Sequence, residues 1–153
     1  LLLLSIKLDL LKSIHAIDRR SIGGMAYPAA VYLCFLCWAN LNSGYIFYYL
    51  PLTILAVCDP LAALSGKRWP RGPYVILGAK KTLLGSVVFF TAAILLGLLL
   101  WILILRLSLD IQQLMIIIVI ALATTLAEAF SRDGYDNLTV PLTAIVCLYI
   151  FAR

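Results

Sequence analysis

Two carboxylic acids stand inside stretches that are otherwise apolar: Asp59 in Ala56-Val57-Cys58-Asp59-Pro60-Leu61-Ala62-Ala63, and Glu128 in Thr125-Leu126-Ala127-Glu128-Ala129-Phe130. A charge at the centre of a membrane helix costs at least about 2.5–3.5 kcal/mol, so an acid kept there marks a functional site by default. Asp133 and Asp136 follow closely after Glu128. Such hard oxygen donors suit Mg²⁺ or another divalent cation, which takes one or two carboxylates and completes its shell with phosphate oxygens and water. The plainer alternative is that acids at helix ends pair with nearby Lys or Arg and do nothing more. Glu128 is open to both readings, Asp59 favours the functional one, and Asp133, beside Arg132, favours a surface pair.

Between the two acidic segments lies a cationic one. Residues 66–81 hold Lys67, Arg68, Arg71, Lys80 and Lys81, five cations in sixteen residues, among the hinge residues Gly66, Pro70, Gly72, Pro73 and Gly78. This composition suits a loop that folds over polyphosphate. Thr82 is a good N-cap for the apolar helix that follows. A helix start offers unpaired N–H groups and the positive end of the helix dipole, so Lys80, Lys81 and that terminus read as an anion site. Gly85 and Ser86 in the first turn allow close approach. The alternative is that the lysines anchor the helix at anionic headgroups.

The remaining polar features carry less. Gly72 to Thr82 superficially suggests a phosphate-binding P-loop, but Ala79 interrupts the Gly-Lys pair and a membrane helix follows. His15 is the single histidine, without a partner nearby in sequence, and Cys34 and Cys37 sit mid-segment as small hydrophobes.

These groups must be held by elements that the charge distribution defines. The chain is 64% hydrophobic and 12% charged, against about 45–50% and about 25% in soluble domains. Residues 21–58, 82–105, 111–127 and 137–152 are free of charge, and about 17–25 apolar residues span a bilayer as a helix. A soluble enzyme, a nucleic-acid binder and a disordered chain are excluded. The fold class expected is an all-α polytopic transmembrane bundle, one domain over 1–153. Its five spans fall at about 26–41, 45–65, 82–105, 111–130 and 138–152. Asn40-Leu41-Asn42-Ser43-Gly44 divides the longest run, and Pro51 and Pro60 predict breaks in the second span. The N-terminal two dozen residues suit an interfacial helix or the tail of a truncated span. The start on Leu1 rather than Met leaves room for an upstream segment.

With five crossings, the N-terminal stretch, 66–81 and 131–137 share one side. Ten of the twelve cations fall there: Lys7, Lys12, Arg19, Arg20, Lys67, Arg68, Arg71, Lys80, Lys81 and Arg132. By the positive-inside rule that side is cytoplasmic. The net charge of +5 therefore reports orientation first. Asn137-Leu138-Thr139 has the form of a glycosylation sequon, but on the cytoplasmic side it is read as chance. No internal repeat supports an inverted-repeat transporter.

Acids for a divalent cation, facing lysines and a helix start at the membrane surface, are the parts phosphoryl transfer needs. The other reactant would arrive through the bilayer, as a lipid alcohol or a lipid phosphate.

Three separated motifs then carry a likeness. Cys58-Asp59-Pro60-Leu61-Ala62-Ala63-Leu64-Ser65-Gly66, Lys80-Lys81-Thr82-Leu83-Leu84-Gly85-Ser86, and Glu128 with Asp136-Asn137-Leu138-Thr139-Val140-Pro141 resemble the dolichol kinase, phytol kinase and bacterial polyprenol kinase family. Arg19-Arg20-Ser21-Ile22-Gly23-Gly24 is similar to the family's basic segment before the preceding span. The resemblance covers about residues 18–145. It implies CTP-dependent phosphorylation of a membrane isoprenoid alcohol or, in some relatives, diacylglycerol. It also implies site roles: Asp59, Lys81 and Asp136 in catalysis; Lys67, Lys80, Lys81, Thr82, Gly85, Ser86 and Asn137 on the nucleotide phosphates; Asp59, Glu128 and Asp136 on Mg²⁺. Asp59 is either a metal ligand or the general base. The partners implied are the lipid alcohol, CTP and the bilayer, with no nucleic acid. Two departures stand out. Leu84 occupies a position that is acidic in many members, and Cys58 one that is often Gly. The alternatives are CDP-lipid synthesis of the phosphatidate cytidylyltransferase type, and a small non-enzymatic transport subunit.

Overall fold

The computed structural model describes residues 23–40, 44–105 and 109–151. The N-terminal stretch expected as an interfacial helix or the tail of a truncated span, with Lys7, Lys12, His15, Arg19 and Arg20, lies outside them, as do residues 41–43, Arg106 and Arg153. Among the described residues five helices follow one another: α1 (Gly23–Asn40), α2 (Ile46–Arg68), α3 (Leu83–Leu100), α4 (Ile111–Phe130) and α5 (Asp136–Phe151). A π-helical turn, Trp101–Leu105, extends α3. The fold is an all-α bundle of the membrane type. Ile46–Arg68, Leu83–Leu103 and Ile111–Phe130 are long and apolar enough to cross a membrane. The expected first and fifth spans are helices too, but α5 has 16 residues and reaches only about 24 Å.

Apolar residues of α2, α3, α4 and α5 meet in one core. Leu50, Ile54, Cys58, Phe89, Ile120, Val140 and Leu148 are all within 1% of full burial. Gly97 lets α4 come close to α3, since a Cβ there would lie 2.8 Å from the Ile117 side chain. Small residues serve this purpose in membrane bundles, where close packing must supply the attraction that water supplies elsewhere. At the end holding Asn40 and the start of α2, Phe35, Trp38, Tyr45, Tyr48 and Tyr49 form a continuous aromatic group, with Trp38 stacked on Tyr45 at 5.5 Å. Amphipathic rings of this kind collect at a membrane–water interface.

Two expectations are corrected. Pro51 and Pro60 do not break α2, because a π-helical turn over Ile54–Cys58 lies between them. The wider turn is one of the recognised ways a helix absorbs a local misfit. The helix also continues past Ser65 to Arg68, so Asp59 sits nine residues, about 14 Å, from its end. Secondly, 66–81 is not an open loop. After α2 it forms an antiparallel hairpin, β1 (Pro73–Ile76) with β2 (Ala79–Thr82), in the register Tyr74↔Lys81 and Val75↔Lys80. Leu77 and Gly78 turn it with φ of 50° and 84°, the left-handed pair that two-residue hairpins require. Arg132 ties the tip down, its Nη1 donating to the Leu77 carbonyl at 3.0 Å.

Candidate active site

Along α2, Asp59, Ala62, Ala63, Gly66 and Lys67 recur at i, i+3, i+4, i+7 and i+8, which places them on one helical stripe. That stripe faces the start of α3 at unusually short range. A Cβ on Gly66 would stand 2.5 Å from the Thr82 hydroxyl, and one on Gly85 would stand 3.1 Å from the Ala62 carbonyl oxygen. Two glycines thus bring the acid-bearing half of α2 against the α3 N-terminus. The end of α4 and the start of α5 close the remaining side.

The result is a cavity of about 350 Å³ lined by Asp59, Ala62, Ala63, Gly66, Lys67, Lys80, Lys81, Thr82, Gly85, Ser86, Glu128 and Asp136. Every residue to which the family resemblance gives a site role lies here except Asn137. The Asn137 amide instead donates to the Gly23 carbonyl at 3.3 Å and joins α5 to the start of α1.

The hairpin separates the two lysines that adjoin in sequence, because successive strand residues face opposite ways. Lys81 turns inward and forms an ion pair with the buried Glu128. Lys80 stays exposed at the cavity wall. Glu128 therefore realises the pairing alternative while still lining the cavity. Asp133 likewise pairs with its neighbour, 3.6 Å from the Arg132 guanidinium, and does not line the cavity.

Thr82 caps α3 as expected: its backbone is extended and its hydroxyl accepts from the Gly85 N–H at 3.1 Å. The expected free N–H groups are not there. Leu83 N–H donates to the Gly72 carbonyl at 2.9 Å, and Leu84 N–H to the Arg71 carbonyl at 3.4 Å. The chain entering the hairpin has occupied the donors that a phosphate would use. What remains for an anion is the lysine charge and the dipole end, which act without a direct N–H contact.

Tyr74 escaped the sequence reading. Its hydroxyl meets the Ser86 hydroxyl at 2.6 Å, so the hairpin holds the first turn of α3 directly. Tyr74 lies opposite Lys81 in the hairpin, and side chains of a directly opposed pair share a face. Ser131 and Thr139, hydrogen-bonded hydroxyl to hydroxyl at 2.6 Å, fix the α4–α5 corner that presents Asp136.

The donor set fits a divalent cation shared with phosphate. Three carboxylates and three lysines line one open cavity. Among the described residues, no three acidic, histidine or cysteine side chains gather closely enough to hold an ion by themselves. Mg²⁺ sites of nucleotide-using enzymes have this character, with one or two carboxylates and the rest from phosphate and water.

The chain is 33% identical over 143 residues to a phytol kinase of Synechocystis sp.. The likeness supports a dolichol and phytol kinase-type family for this chain. The aligned part covers 91% of the chain, which spans only 58% of that relative's length. No family model matches the chain, and no solved structure does.

Proposed function

We propose that this chain carries the catalytic region of a lipid-alcohol kinase, transferring the terminal phosphoryl group of CTP to the hydroxyl of a membrane isoprenoid alcohol. The carrying observation is the cavity in which Asp59, Glu128 and Asp136 meet Lys67, Lys80 and Lys81 at one end of an apolar bundle. The phytol kinase relative supports the reaction class. CTP as donor rests on the family resemblance.

Phosphoryl transfer asks little covalent chemistry of the protein and much positioning and charge neutralisation. Lys67 and Lys80, exposed at the cavity wall, attract the nucleotide phosphates from the aqueous side. Lys81, held by Glu128, supplies a fixed positive charge where negative charge builds up on the transferring group. Asp59 and Asp136 would hold a divalent cation such as Mg²⁺, which when bound neutralises phosphate charge and orients the terminal group. The acceptor oxygen bonds to the terminal phosphorus, the bond to the bridging oxygen breaks, and CDP leaves. The proton of the acceptor hydroxyl passes to Asp59 if that carboxylate is the general base, or to solvent if Asp59 serves the cation. By the positive-inside rule the cavity opens to the cytoplasm.

The test is an assay of the purified protein in detergent with labelled CTP or ATP against phytol, a polyprenol and diacylglycerol. CDP release with a phosphorylated alcohol is expected from CTP. Release of pyrophosphate would instead indicate CDP-lipid synthesis and contradict the proposal.

A further inference from the structure

Beside the polar cavity runs a second concavity of about 220 Å³, lined by Leu83, Ser86, Val87, Phe90, Leu122 and Thr125. It lies between the first two turns of α3 and the second half of α4. Its walls are apolar even at the two hydroxyl residues. Ser86 Oγ is engaged with Tyr74, and Thr125 Oγ1 donates to the Ala121 carbonyl at 2.6 Å within its own helix. Leu83, Val87 and Leu122 are exposed at its rim, on helices apolar enough to cross a membrane. Ser86 lines both concavities. The polar cavity and the apolar groove therefore meet at one residue, and the Tyr74–Ser86 hydrogen bond bridges hairpin and helix at that seam.

We infer that the groove seats the hydroxyl-proximal part of the acceptor's hydrocarbon chain, and that the occupant is a single-chain isoprenoid alcohol. An amphiphile with its chain in the groove would carry its hydroxyl past Ser86 into the cavity that holds Asp59 and Lys81. Entry is sideways from the hydrocarbon, so the alcohol need not leave the bilayer. The groove that shares Ser86 with the polar cavity is a track between two helices, which suits one chain. This inference rests on the kinase reading above and adds where the acceptor lies.

Two experiments on the intact chain test it. In Leu122→Trp, a bulky ring at the exposed rim narrows the groove without touching the polar cavity. The Michaelis constant for phytol should rise about tenfold or more, the size of effect that a mis-shaped apolar pocket gives, with that for the nucleotide unchanged. An active variant with unaltered phytol dependence would overturn the inference. In the second, a diazirine-bearing phytol analogue is photo-activated on the wild-type protein and labelled positions are mapped. Labelling of Val87, Phe90 or Leu122, competed by phytol, is expected. Labelling confined to the outer faces of α1 and α5 in an active enzyme overturns the groove and leaves the kinase reading. Groove labelling in a protein that phosphorylates no alcohol supports the groove and removes the kinase reading.

Discussion

At the scale of single residues, the ion pair between Lys81 and Glu128 joins stability to chemistry. Glu128 is buried on α4 and its partner reaches it from β2. Removing one partner of a buried pair leaves the other unpaired, which costs more than the pair itself contributes. Lys81→Ala and Glu128→Ala should each lower the melting temperature, while the double variant loses less than the sum. A double-mutant cycle should give a coupling of about 0.5–3 kcal/mol, the range found for contacting residues. In activity, Lys81→Ala should lose about 10²–10³ in kcat, as when one charge-stabilising donor is removed. Thr82→Ala should cost about 0.5–2 kcal/mol through its lost cap, read by chemical or thermal unfolding. Asp59 and Glu128 were legible in the sequence because a carboxylate in an apolar run is conspicuous. Tyr74 was not, since a tyrosine near a membrane surface has many ordinary reasons to be there.

At the scale of elements, two devices build the site: the close approach of α2 to α3 and the hairpin between them. Gly66→Ala would force its new methyl group against the Thr82 hydroxyl, which already serves the Gly85 N–H. The expected loss is about 1–3 kcal/mol, as for other overpacked sites, with activity falling alongside. Arg132→Ala removes the donor to the Leu77 carbonyl and should loosen the hairpin tip. Hydrogen exchange at residues 73–82 would show faster opening there, with α3 unchanged beyond its first turn. The helices were predictable from charge-free runs, and Thr82 from its place before one of them. The hairpin was hidden because its strands are only four residues each, too short for period-2 alternation to stand out amid Pro, Gly and Lys. Occupation of the α3 N–H groups was hidden for another reason. It depends on where the Arg71 and Gly72 carbonyls point, and that carries no side-chain signature.

At the scale of the whole molecule, the turns between successive helices bring separate chain segments together at one end. The end of α2, the hairpin running into the start of α3, the end of α4 and the start of α5 share the cavity, while Asp110 caps α4 at its far end through the Gln112 and Gln113 N–H groups. The same arrangement follows from counting crossings and cations along the sequence. With the native cysteines replaced, a cysteine at Arg71 should react with an impermeant thiol reagent only from the cytoplasmic side, and one at Asp110 only from the other. Equal labelling of both from one side would contradict the proposed orientation.

The proposed activity of the cavity between α2 and α3 is transfer of a phosphoryl group to a lipid alcohol. The most direct measurement follows labelled phosphate from the terminal position of CTP to phytol in the purified wild-type protein and in Asp59→Asn, with folding of the variant verified by its melting curve. Labelled phytyl phosphate and stoichiometric CDP are expected from the wild type, with a loss of about 10²-fold or more in the variant. Full activity in a folded Asp59→Asn protein would contradict it.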